Sequence, residues 1–168
     1  MKKLIALLPL ILLFNVCLAQ TSEDFIAMEY RGMSNLIYKI HVTPDRIVGL
    51  RVNGYISVKN SYGIGYTVPD NELNNPGAYV NKNLESAYSG IDIDSAAILR
   101  LDEENFIIEK SAIKELYHSK KKKFGMGSYP YSGRIIIKCN KTKGNARGNR
   151  DLILVGEQDW QSILELMR

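Results

Sequence analysis

The chain has 168 residues, 24% of them charged and 45% hydrophobic, and its formal net charge is +4. This length and hydrophobicity are sufficient for one folded domain, and they exclude an intrinsically disordered chain. The small net charge hides a strong polarisation, since residues 120–150 contain ten Lys or Arg and no Asp or Glu.

The N-terminus has the pattern of a secretory signal peptide, predicted to span residues 1–19. Lys2 and Lys3 give a positive start, residues 4–14 are uniformly apolar, and Ala19 is a small residue at the cleavage site. The apolar run is shorter than the roughly 20 residues that a membrane-spanning helix needs. We therefore predict an exported protein (periplasmic, in the cell envelope or secreted) with no transmembrane segment after signal removal.

Cleavage after Ala19 leaves a single mostly-β domain, residues 20–168, with Cys139 as its one cysteine. An intramolecular disulfide is then impossible, so an apolar core must hold the fold. Lipid modification of Cys17 is an alternative, but Val16 stands where lipoprotein signals usually have a small residue.

Residues 25–59 have the composition of β-strands. Residues 36–42 and 47–52 are rich in β-branched side chains, and the Thr-Pro-Asp-Arg sequence at residues 43–46 matches a type I turn. The Asn-Gly pair that follows is a strong hairpin signal and predicts a third strand over residues 55–59. The pattern therefore predicts a three-stranded antiparallel meander.

Residues 61–90 are rich in Gly, Pro and Asn, which predicts a long loop that is either mobile or functional, with mobility favoured. Within it, residues 66–68 fit a short strand and residues 79–88 fit one or two helical turns. Beyond the loop, strands are predicted over residues 91–101 and 106–108.

The last third predicts strands over residues 133–140 and 152–155, followed by a helix over about residues 158–167. Residues 111–118 fit either a helix or a strand, and the strand is favoured because β-rich segments flank them. Asp159 is placed to cap the C-terminal helix. The apolar stripe of the helix consists of Trp160, Ile163, Leu164 and Met167. Because this stripe must dock on the sheet, the predicted class is α+β: a bent, mainly antiparallel sheet, sandwich or partial barrel with a C-terminal amphipathic helix.

Alternation in residues 133–140 sorts the side chains of this strand between two faces. Ile135, Ile137 and Cys139 are predicted to face the core, with Arg134, Lys138 and Asn140 on the outside.

The order of strand pair, basic loop and Trp-bearing helix in residues 105–168 resembles the closing part of PH-like domains. In that superfamily basic loops often contact acidic lipid head groups, so the resemblance implies a lipid-binding option. The usual basic site there lies in the first hairpin, whereas the basic residues here come late.

The basic stretch supplies the candidate binding residues, which are Lys120, Lys121, Lys122, Lys123, Lys141, Lys143, Arg147 and Arg150. If residues 133–155 form a hairpin, its loop and the lysine run are expected near the same end of the sheet, and both are predicted to lie on the surface. Such a patch would attract an anionic lipid, an anionic glycan or another polyanion. The other interpretation, a solvated lysine-rich loop that discourages edge-to-edge aggregation, is slightly favoured.

No set of residues in the sequence supports catalysis, a metal site or a cofactor. Cys139 is predicted to face the core, and neither His41 nor His118 has a local catalytic signature, so no nucleophile is paired with a base. The sequence has no zinc-type His or Cys spacing and no calcium loop, and its lone Gly-x-Gly pairs do not make a nucleotide site.

The sequence therefore predicts a non-enzymatic exported protein that binds an anionic partner through a basic surface. One alternative is a structural or accessory envelope protein that uses its sheet edges or the Asn-rich loop. A small hydrolase is the less favoured alternative.

Overall fold

The computed structural model describes residues 23–31, 34–54, 56–57, 66–93, 95–123 and 129–168. The predicted signal peptide and Cys17 lie outside these residues, as do residues 58–65 and 124–128. Within the described ranges, no helix has the length and apolar character needed to cross a bilayer.

The described residues contain nine strands and three α-helices. The strands are β1 (Glu23–Arg31), β2 (Ser34–Val42), β3 (Arg46–Gly54), β4 (Ile56–Ser57), β5 (Tyr66–Thr67), β6 (Phe106–Glu109), β7 (Ile113–Ser119), β8 (Tyr131–Cys139) and β9 (Arg150–Val155). The helices are α1 (Lys82–Ser86), α2 (Ile98–Leu101) and α3 (Trp160–Leu166), and single turns of 3₁₀ helix lie at Asp70–Glu72, Pro76–Tyr79 and Lys110–Ala112.

Seven of the strands form one curled sheet in the order β6-β3-β2-β1-β9-β8-β7, and all neighbouring pairs are antiparallel. The sheet is a half-barrel with the helix α3 after its last strand, which confirms the predicted α+β class with a bent antiparallel sheet. The pairing of β1 with β9 joins the early strands to the late ones at the middle of the sheet.

The predicted meander is confirmed for β2 and β3, and β1 is the strand that continues it. Of the predicted third strand, residues 55–59, the structure describes only Ile56 and Ser57. Instead of pairing with β3, the short strand β4 pairs in parallel with β5 in a separate two-stranded ribbon. The Asn-Gly pair does not form the expected hairpin. The Asn53 side chain donates instead to the Tyr79 carbonyl oxygen at 2.8 Å, which fastens a later segment to the sheet.

One face of the sheet, called the helix face, packs against α3. The predicted core side of β8 is confirmed, because Ile135, Ile137 and Cys139 are buried there with the α3 stripe. The Asp159 carboxylate accepts hydrogen bonds from the backbone N–H groups of Gln161 and Ser162, which confirms the predicted cap. The Trp160 ring stacks on His118 of β7 with centroids 4.0 Å apart, so this helix is fixed to the edge of the sheet.

The opposite face, called the loop face, is covered by residues 66–101 over strands β1, β2, β3, β6 and part of β9. The segment predicted to be a mobile loop fully buries Val68 and Tyr79 against the sheet. Burial raises the pKa of the Tyr79 hydroxyl to about 12, with a further contribution from Tyr129. The strand predicted over residues 91–101 is wrong, because this stretch forms turns and the short helix α2, whose Ile98 is buried.

Candidate functional site

The two basic segments lie at opposite ends of β8. The lysine segment, residues 120–123, follows β7, whereas the closing loop, residues 140–149, joins β8 to β9. The expectation that both lie near one end of the sheet is wrong, because successive connections of an antiparallel meander alternate between its two ends. The basic stretch therefore does not make one continuous patch.

The lysine segment turns back along the loop face instead of extending away from the sheet. Arg134 Nε on β8 donates to the Lys121 carbonyl oxygen at 2.8 Å. Lys123 Nζ lies 3.2 Å from Asp151 Oδ2 on β9, and Arg134 Nη1 lies 2.7 Å from the same oxygen. These contacts hold the backbone of the segment against the strands, while Lys120, Lys121 and Lys122 stay exposed.

The strand register shows which side chains surround this segment on the loop face. Tyr117 lies opposite Ile136, which lies opposite Asp151 on its other side. Arg134 and Lys138 are two positions either way from Ile136 along β8 and therefore lie on the same face. We call the four cations of this region the basic face, which consists of Lys121, Lys123, Arg134 and Lys138.

A groove of about 540 Å³ runs across the basic face. Lys121, Arg134 and Lys138 line it, and Asp151 is the carboxylate among its lining residues. Glu115 lies opposite Lys138 in the register, but no salt bridge joins the two side chains. Within the described part of the chain, neither Lys121 nor Lys138 is paired with a carboxylate, so the groove carries an excess of positive charge.

An aromatic ring stands beside these cations. Tyr117 on the edge strand β7 is 42% exposed and lines the same groove. Exposed aromatic rings stack on sugars and bases or settle at membrane interfaces. The basic face thus combines ammonium groups, an engaged guanidinium and an accessible ring.

The closing loop has a structural role. Its Gly144 carbonyl oxygen accepts a hydrogen bond from Ile107 N on β6 at 2.8 Å, so the loop reaches across to the far edge of the curled sheet. A Cβ at Gly144 would lie 2.9 Å from the Ile107 oxygen, which explains the glycine. Arg147 Nη2 adds an ion pair at 2.7 Å to Glu104, which precedes β6. Of the loop cations, Lys141 and Lys143 remain exposed without such pairs in the described structure.

The prediction that Arg150 lies on the surface is wrong. Its side chain is buried on the helix face, with only 4% of the residue exposed. Its Nη1 lies 2.9 Å from Glu29 Oε2, and its Nε donates to Asn145 Oδ1 at 3.0 Å. The guanidinium also lies 3.9 Å above the Phe106 ring. Arg150 is also among the residues that line the groove of the basic face, but its guanidinium is held in the buried network on the helix face. That guanidinium is therefore not available to a ligand.

The residues considered for nucleophilic catalysis take part in separate contacts. Cys139 Sγ donates to the Gly148 carbonyl oxygen at 3.1 Å, and burial raises the pKa of this thiol. His118 stacks on Trp160, with its Nε2 lying 3.0 Å from the Ser132 carbonyl oxygen. His41 Nδ1 lies beside the Asp24 carboxylate, on the other half of the sheet.

His41 borders a second groove of about 470 Å³, under α1. Glu85 of this helix accepts hydrogen bonds from Lys82 and Lys39, which lower the pKa of its carboxyl. Lys39 and Glu85 thus tie the helix to β2, and Tyr88 completes the wall. Both lysines that line this groove, Lys39 and Lys82, are paired with a carboxylate, in contrast to Lys121 and Lys138 on the basic face.

Sequence reasoning missed two of the four cations of the basic face. Arg134 and Lys138 were assigned to the outer side of β8 but were not included among the candidate binding residues. The signal that could have identified them is the alternation of side chains along β8, which places Arg134 and Lys138 on the same outer face of the strand. Lys120 and Lys122 are exposed beside the basic face but do not line its groove.

No protein-family model, curated protein or solved structure matches this chain. The resemblance of residues 105–168 to PH-like domains stays a prediction. Among the described residues, no group of three or more His, Cys, Asp or Glu side chains is placed to hold a metal ion.

Proposed function

We propose that this chain is an exported, non-enzymatic binding protein that holds a polyanionic partner on the basic face. The observation that carries this proposal is the uncompensated charge of Lys121 and Lys138, which line one groove and have no carboxylate partner among the residues that the structure describes. A groove lined by one sign of charge raises the local concentration of ions of the opposite sign.

The arrangement favours a partner with several anionic groups over a single phosphate. Arg134 is already engaged by Asp151 and by the Lys121 carbonyl oxygen, so its guanidinium cannot grip an anion bidentately. The cations that remain are ammonium groups, which act as point charges and select charge density more than geometry. Lipid head groups on a surface, anionic glycans and other polyanions share this chemistry.

Export is supported by the sequence of residues 1–19, with its Lys pair and apolar run. An exported binding protein would meet anionic lipid and glycan at the cell envelope. The lysine-rich loop then has a use beyond protection of the β7 edge against aggregation.

The test is a binding measurement on residues 20–168 with three probes: phosphatidylglycerol vesicles, heparin and polyphosphate. We expect binding to at least one probe at about 50 mM NaCl and its loss at about 500 mM NaCl, because neutralised charges release counterions. The probe that binds identifies the source of the anionic groups.

Variants assign that binding to the basic face. The double substitution Lys121→Gln and Lys138→Gln is expected to weaken binding about tenfold, since two unpaired charges are lost. The double substitution Lys141→Gln and Lys143→Gln is the matched control, because it removes the same number of charges from exposed positions at the opposite end of β8. Equal weakening in the control, or binding insensitive to salt, would overturn the proposal, and binding to none of the probes would favour the structural envelope alternative.

A further inference from the structure

A third groove lies at the far edge of the sheet, between α2 and the closing loop, with β6 beneath it. Its volume is about 600 Å³, within the range of roughly 300–1,000 Å³ typical of small-molecule sites. It is separate from the basic face, which lies over β7, β8 and β9. All residues that line this groove lie within the part of the chain that the structure describes.

The floor of this groove is apolar. Leu99 of α2 and Ile107 of β6 line it, with Ala96 just before the helix. The buried neighbour Ile98 anchors α2 on the loop face, which leaves the adjacent Leu99 to face the groove. At one end of the groove, Arg46 and Glu109 form an ion pair at 2.9 Å, so this pair adds no net charge to the floor.

Two cations stand on opposite walls of the groove. Arg100 belongs to α2, and Lys143 belongs to the closing loop. Both side chains are exposed, and in the described part of the chain neither is paired with a carboxylate. An arginine is charged at every physiological pH, so the rim stays positive.

We propose that this groove binds an anionic amphiphile, a molecule with one alkyl chain and one terminal carboxylate, sulfate or phosphate. The chain would lie on Leu99 and Ile107, and the head group would sit between Arg100 and Lys143. The charge complementarity of the rim and the apolar floor together select this ligand class. A polyanion is a poor occupant, because its successive charges would be desolvated over the apolar floor.

Isothermal titration calorimetry of the full chain with octanoate, decanoate and dodecanoate, below their micelle-forming concentrations, tests the proposal. Affinity is expected to rise about fourfold for each methylene that becomes buried. Dodecanol is expected to bind more weakly than dodecanoate, because it lacks the charge that meets Arg100 and Lys143. Dodecyl phosphate and dodecyl sulfate show which head group is preferred.

Two sets of variants locate the site. Ala96→Trp fills the groove from an exposed position and is expected to abolish binding without affecting the fold. The double substitution Arg100→Gln and Lys143→Gln is expected to make dodecanoate and dodecanol bind equally. The control Lys121→Gln lies on the basic face and should leave dodecanoate binding unchanged, so the two sites can fail independently.

Affinity that does not depend on chain length would overturn the proposal, since it would indicate simple ion pairing at the surface. Wild-type binding by Ala96→Trp would also overturn it, as would equal binding of the alcohol and the acid to the unmodified chain.

Discussion

The lysine segment and the closing loop have the same sign of charge and opposite surroundings. Arg147 of the closing loop meets two carboxylates from distant parts of the chain, Glu29 on β1 and Glu104 before β6. In the lysine segment, Lys123 lies beside Asp151, which Arg134 also contacts, whereas Lys120, Lys121 and Lys122 are exposed. A basic residue in this fold is structural where another strand supplies a carboxylate, and it is available to a ligand where none does.

The buried network of Glu29, Asn145 and Arg150, at the junction of the closing loop with β9, gives the largest expected effect. Arg150→Met would remove the guanidinium that lies 2.9 Å from the buried Glu29 carboxylate, whose ion pair with Arg147 is longer at 3.7 Å. It would also remove the cation above the Phe106 ring. We expect a loss of about 3 kcal/mol in the free energy of unfolding, since breaking a buried pair from one side is costly. Urea denaturation followed by circular dichroism measures it.

Replacing both partners gives the companion experiment. The double variant Glu29→Met and Arg150→Met removes the buried charges together and should recover much of the loss, because apolar side chains can fill the same volume. If the single Arg150→Met variant were as stable as the wild type, the assignment of this arginine to the structural group would fail.

Asn145 is expected to have the next largest effect. It is 1% exposed and donates to the Gly148 carbonyl oxygen at 2.6 Å while accepting from Arg150 Nε at 3.0 Å. Asn145→Ala should cost about 2 kcal/mol, because it leaves buried polar groups without partners. Thermal unfolding reports this, and the exposed neighbour position 146 offers a control, Ala146→Ser, that should change stability little.

Arg147 is expected to have a smaller effect on stability than Asn145 and a larger one than the lysine segment. Its side chain is 37% exposed, and its ion pair with Glu104 is near the surface. Arg147→Gln is expected to cost about 0.5 kcal/mol, and less at high salt, where surface pairs are screened. A cost above that of Asn145→Ala would contradict the placement of Arg147 at the rim of the network.

The lysine segment should have the smallest effect on stability. Changing Lys120, Lys121, Lys122 and Lys123 to Gln together is expected to alter the free energy of unfolding by less than about 0.5 kcal/mol, as is usual for surface positions. The same variant should lose the ligand-induced rise in melting temperature that a bound polyanion gives the wild type. A large loss of stability would place these lysines in the structural group with Arg150.

The local patterns were predictable, because each depends on neighbouring residues. The period of two in β8 identified Ile135 and Ile137 as core, and the helical spacing of α3 with its Asp159 cap was also correct. The burial of Arg150 was not predictable, since its partner Glu29 lies 121 residues earlier and is itself a polar residue on a core position. A single sequence contains no signal for that pairing.

The errors in chain path have a similar cause. The Asn-Gly pair at the end of β3 is a local hairpin signal, but the Asn53 side chain is held by Tyr79, and tertiary contacts determine the path. The strand predicted over residues 91–101 failed because short apolar runs do not distinguish a strand from a helical turn. Only Lys121 and Lys123 of the basic face were predicted as binding residues. Arg134 and Lys138 lie beside Lys121 because of the register between strands β7 and β8, which composition does not reveal.

The pairing of β1 with β9 has a consequence for the time course of folding. Ala27 pairs with Leu154 and Met28 with Ile153, so the centre of the sheet cannot be completed until β9 has been synthesised. Until then, the strands β1, β2 and β3 can form only an open-edged meander. Contacts of such long sequence separation are slow to form, so we expect the pairing of β1 with β9 to be a late step in folding.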